Sequence, residues 1–141
     1  MTLPYSDLYW AAWNDIRSAR SELELGYPTR VCDHIYSGVM WTIDAWLLIH
    51  GHEPARGDWQ SVFQHFYKVA PSDLKSKISH LLSKTVILDG PNEVVEDGIP
   101  VKLRDPEYFL KEWKEDVLKC VEQAEEFLNL VKNESPIKLQ E

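Results

Sequence analysis

Apolar residues recur along this chain at the three- and four-residue spacings of amphipathic helices. Leu8, Ala12, Ile16, Ala19 and Leu23 form one such stripe and predict a first helix over Ser6–Leu25. Ser6 is its expected N-cap, and Asp7 puts a negative charge in the first turn, where the helix dipole favours it. Gly26-Tyr27-Pro28 ends it. A second helix starts at Pro28 or Thr29 and reaches His50, where Gly51 stops it. Val31, Ile35, Val39, Ile43, Trp46 and Leu47 mark one face, and Tyr36, Met40, Leu48 and Ile49 widen it. A helix apolar over most of its circumference is either central in a bundle or shared with a second subunit.

Asp58 is placed to cap a third helix bearing Trp59, Val62, Phe63 and Phe66. Ser72 is placed to cap a fourth, carried by Leu74, Ile78, Leu81 and Leu82 to Lys84. The β-branched run at Val86-Ile87-Leu88 and the turn signal Asp97-Gly98 predict a small β-hairpin insert over 86–101. Asp105 then caps a final helix with Pro106 in its first position. Its stripe is Leu110, Trp113, Val117, Cys120, Ala124, Phe127 and Val131. From 106 to 132 it makes a rod of about 40 Å. The expected fold is all-α: an up-and-down four- or five-helix bundle spanning 1–132, with a flexible tail over 133–141.

Composition narrows the possible functions. The 141 residues are 44% hydrophobic and 11% aromatic, which suits one domain with a real core. A net charge of −8 opposes general nucleic-acid binding, so RNA is not expected as a partner, although a small basic cleft stays compatible with it. No apolar run reaches the roughly 18 residues of a membrane span, and the start lacks a signal pattern. Two cysteines, Cys32 and Cys120, make no disulfide framework and lie in apolar seams. These features predict a soluble, cytoplasmic protein. Six tryptophans, four of them (Trp10, Trp13, Trp41, Trp46) on the first two helices, predict a homodimer through those helices.

Four constellations carry candidate chemistry. His50, His52, Glu53, Asp58 and His65 are the densest set of ligand-type side chains, but no HExxH spacing is present and no metal is expected. Asp33, His34 and Asp44 on the second helix would be an acid–base group if buried together; the bland alternative is an interface or interhelix pairing. Arg17, Arg20, Arg56, Lys75, Lys77 and His80 are candidates for a phosphate cleft, although no glycine-rich phosphate loop accompanies them. No Ser/His/Asp or Cys/His arrangement stands out, so no catalytic residue is assigned.

The order of landmarks resembles the HEPN superfamily (higher eukaryotes and prokaryotes nucleotide-binding domain). The resemblance rests on Ala11-Ala12, Asp15, Ala19 and Leu23 in the first helix and on the Gly26-Tyr27 turn. It continues in Ile43-Asp44-Ala45-Trp46-Leu47-Leu48, the Gly51-His52-Glu53-Pro54 turn and the long last helix. Asp44 stands where many members carry Lys, and the 86–101 insert is not a standard part of that fold. The ribonuclease members use Arg, four to six residues, then His. Arg17, Arg20, Arg30, Arg56 and Arg104 have no His at that offset. Lys75 and His80 have the spacing but lack the guanidinium. The resemblance therefore implies a non-catalytic binding protein for a nucleotide or a small nucleotidyltransferase partner, with Arg56, His65, Lys75 and His80 as its ligand-binding residues and no resident cofactor. The alternatives are a divergent ribonuclease toxin of a toxin–antitoxin pair and a structural assembly protein.

Overall fold

Five helices carry the fold among the residues that the computed structural model describes, which are 4–25, 30–52, 58–89, 95–96, 99–100 and 113–139. They are α1 (Tyr5–Leu25), α2 (Val31–Ile49), α3 (Trp59–Val69), α4 (Ser72–Asp89) and α5 (Lys114–Glu134). The assembly is a helical bundle. α2 packs against all four other helices, and none of its residues is a large exposed hydrophobic. Its wide apolar circumference is thus explained by a central position, with Ile35, Val39, Met40, Ile43 and Leu47 fully enclosed. α1 lies antiparallel to α2 at close range. A Cβ on Gly38 would stand 2.6 Å from Ile16 Cγ1 and 3.3 Å from Asp15 Cβ, so the approach requires glycine.

The rings of the first two helices find cover within one chain. Trp46 is buried, Trp10 and Trp41 are half-buried against the core, and only Trp13 reaches 36% exposure. A second copy is not needed to cover Trp46, because α2, packed against four helices, hides more than two helices alone can.

Local chemistry sets several element ends. Gly51, at φ 80°, closes α2 in a Schellman arrangement, its N–H donating to the Leu48 carbonyl at 3.1 Å and His52 N–H to Leu47 at 2.9 Å. Asp58 caps α3 by accepting from the Ser61 N–H at 2.9 Å. α1 begins one residue before the expected cap, at Tyr5, and Ser6 is buried inside it. The expected Asp105 cap and Pro106 start lie outside the described residues. α5 shows the predicted seam, with Val117, Cys120, Ala124, Phe127 and Val131 buried, and runs to Glu134. Beyond it Leu139 packs half-buried against the core.

The expected hairpin insert over 86–101 is corrected at its start. α4 does not stop at Lys84 but continues through Thr85-Val86-Ile87-Leu88 to Asp89. Thr85 is buried and donates its hydroxyl back to the Leu81 carbonyl at 2.8 Å. The Trp113 indole N–H donates to the Leu88 carbonyl at 3.0 Å, satisfying one acceptor that a helix end leaves open. The burial of Thr85 and the Trp113 bond outweigh the β-branched propensity, which is worth only tenths of a kcal/mol per residue, about 0.7 at most. Strand pairing among the described residues is confined to β1 (Val95–Glu96) against β2 (Ile99–Pro100), antiparallel, with Val95 opposite Pro100. These pairs flank positions 97–98, where the turn is expected, and the rest of the expected insert after Asp89 lies outside the described residues.

Candidate functional site

The residues expected to hold a ligand are not gathered. Arg56 lies outside the described residues. His65, on α3, faces His52, with ring centroids 5.3 Å apart. Lys75, early in α4, places its ammonium 4.9 Å over the Tyr67 ring. His80 is exposed further along α4, and five positions of helix turn it about 140° from Lys75. Lys77 instead pairs with Glu126 on α5 at 3.4 Å. The spacing that resembled a ribonuclease pair therefore places its two members on different sides of one helix.

The metal-type cluster resolves into a stacked one. His50 lies on the Trp46 ring at 4.1 Å and bonds Glu134 through Nε2 at 2.9 Å, while His52 stacks at 6.3 Å beyond. Among the described residues no three His, Cys, Asp or Glu side chains are set to hold a metal ion. Glu53 lies outside them.

The acid–base group is also divided. His34 faces α1, with Nε2 3.7 Å from Glu22 and Nδ1 3.9 Å from Asp15, both too long for hydrogen bonds. Asp15 in turn accepts the Ser37 hydroxyl at 2.6 Å. Asp44, ten residues and about 15 Å along α2, is out of reach. Its Oδ1 is buried with no partner among the described residues, and burial pushes its carboxyl up to about 6. Cys32 and Cys120 are buried and not joined in a disulfide; burial pushes the Cys120 thiol up, partly offset by the Thr85 hydroxyl.

Two of the phosphate candidates, Arg17 and Arg20, do share a site. α1 and α5 run antiparallel and leave a groove of about 260 Å³ between them. Tyr9, Ile16 and Leu128 form a buried floor. Trp13, Arg17 and Arg20 stand on the α1 wall, at the i, i+4 and i+7 positions of one stripe. Glu125, Asn129 and Lys132 repeat that spacing on α5. Arg20 is committed to Glu125 by two bonds, Nε to Oε2 at 2.8 Å and Nη2 to Oε1 at 2.5 Å. Glu24 stands 3.9 Å from its other nitrogen. The Glu125 bonds hold the Arg20 guanidinium above its ordinary pKa. Arg17 lies over the Trp13 ring at 5.2 Å. Among the described residues no ion pair engages Arg17 or Lys132. The α5 contributors follow α1 by more than a hundred positions, so no local signal joins them to Arg17.

Comparison with protein-family models, with curated proteins and with solved structures finds no match for this chain.

Proposed function

We propose that this chain is a non-catalytic, HEPN-like binding domain whose α1–α5 groove takes a mononucleotide. The observation that carries the reading is the placing of Arg17 and Lys132, both without a carboxylate partner among the described residues, beside the Trp13 ring in one groove. An anion would draw Arg17 off the indole. A cation–π contact at an exposed site is worth about 0.5–1 kcal/mol, whereas a charge-assisted hydrogen bond contributes about 1.5–3 kcal/mol. The exchange favours the phosphate and uncovers an aromatic face on which a base can stack. A groove of about 260 Å³ lies at the small end of ligand sites, which suits a mononucleotide over a polymer. Polymer binding is further opposed by the overall charge of −8.

The test is thermal stabilisation by adenosine monophosphate, adenosine and inorganic phosphate. A ligand at about 100 times its Kd adds about 2.7 kcal/mol to stability. The monophosphate is expected to exceed both fragments, and Arg17→Ala with Lys132→Ala to remove the gain. Equal stabilisation of wild type and the double variant overturns the assignment.

A further inference from the structure

On another part of the bundle, α2, α3 and α4 enclose a larger cleft, of about 450 Å³. Its lining includes Asp33, Tyr36 and Ser37 from α2, Trp59 from the first turn of α3, and Thr85 and Val86 from α4. No lysine or arginine is among the described residues that line it.

Asp33 is the one charged side chain among the described residues that line the cleft. The single hydroxyl proton of Ser37 goes to Asp15 Oδ2 at 2.6 Å, and that of Thr85 to the Leu81 carbonyl at 2.8 Å. The Ser37 oxygen can therefore meet a ligand only as an acceptor, while Thr85, buried, keeps its hydroxyl inside the bundle. Asp33 is exposed and adds a carboxylate. The aromatic walls agree in sign, since a ring face carries the negative end of its quadrupole. Tyr36 and Trp59 form a corner, their centroids 6.3 Å apart and their planes at 43°. Trp41 meets Trp59 edge-on at 6.1 Å and 80°, which fixes the indole in place. A pocket with two tilted rings and a carboxylate, and with no lysine or arginine among its described residues, disfavours anions. It is built for positive charge on an apolar body.

We propose that this cleft is a binding site for an organic cation of the alkylammonium class, held by the Tyr36–Trp59 corner with Asp33 as its counter-charge. It is independent of the α1–α5 groove, shares no residue with it, and stands or falls separately.

The experiment compares choline with its neutral isostere 3,3-dimethylbutan-1-ol, by calorimetry and tryptophan fluorescence on the full chain. The two differ in charge alone. Choline is expected to bind at least about tenfold more tightly. Trp59→Leu is expected to erase that preference, and Asp33→Asn to weaken choline a few-fold, with the loss shrinking as salt rises. Arg17→Ala leaves choline binding unchanged. Should Trp59→Leu fail to fold, Asp33→Asn, at an exposed position, carries the test. Equal affinity for the two probes, no binding of choline at about 10 mM, well above a weak millimolar Kd, or a choline affinity indifferent to Asp33→Asn each overturns the proposal.

Discussion

Arg20 and Glu125, 105 positions apart in the chain, grip each other by two parallel hydrogen bonds across the α1–α5 groove. The planar fork matches the carboxylate and fixes the separation of the two helices. Both side chains are about a third exposed, which screens the pair. A double-mutant cycle of Arg20→Ala and Glu125→Ala in urea is expected to show coupling of about 1 kcal/mol. The pair also decides which cations an anion can use. Glu125→Gln releases Arg20, so phosphate binding should strengthen in that variant. Weaker binding would place the anion elsewhere.

Gly38 is the tightest point of the α1–α2 contact. The methyl of Gly38→Ala meets Ile16 Cγ1 at 2.6 Å, inside any normal carbon contact, and the obstacle is the stem of a branched side chain. Helix propensity alone favours alanine by about 1 kcal/mol, but overpacking costs about 1–3 kcal/mol. The variant should lose stability in chemical denaturation, and Ile16→Ala, which removes Cγ1, should cost less in that background than in the wild type.

Asp44 makes stability depend on acidity. Its carboxyl is raised from 3.8 to about 6 by burial. Below pH 3.8 it is neutral whether the chain is folded or not, and it carries no penalty. As pH rises the unfolded chain ionises first, so the stability associated with the neutral acid is lost progressively and is fully gone above about 6. Asp58 shifts the other way, held below its ordinary value by the Ser61 N–H and hydroxyl, so the difference between wild type and Asp44→Asn is the quantity to read. That difference should grow between pH 4 and pH 6 and leave the variant several degrees more stable at neutral pH. Parallel melting curves across this range would contradict it.

The end of α4 depends on Trp113. Trp113→Phe keeps an aromatic ring and removes the N–H that the Leu88 carbonyl accepts. A lost hydrogen bond of this kind costs about 1 kcal/mol. Amide exchange at Val86, Ile87 and Leu88 should accelerate in the variant while exchange in α2 is unchanged.

What could be read from the sequence was what local chemistry decides. Gly51 had to end α2 because a left-handed residue was needed there, and Asp58 had to cap α3. The three–four spacing through Val117, Cys120, Ala124, Phe127 and Val131 named the buried face of α5. Residues 85–88 misled because their β-branching is a local signal, while their helix is secured by Leu81 within it and Trp113 outside it. Counting rings on two helices leaves out the cover that α3 supplies to Trp41 and Trp46. Arg17 and Arg20 were recognisable as phosphate candidates, yet Glu125 and Lys132 become their neighbours only through the antiparallel return of α5. Lys75 and His80 show the converse, a suggestive spacing that a helix turns apart.

The groove itself is tested most directly by titrating the isotope-labelled chain with adenosine monophosphate and following its amide and arginine side-chain resonances. The largest changes are expected at Trp13 and Arg17 on α1 and at Asn129 and Lys132 on α5, with the Arg17 side-chain signal moving as it leaves the indole. Changes centred on His65, Lys75 and His80, or no changes at all at millimolar nucleotide, would contradict the account.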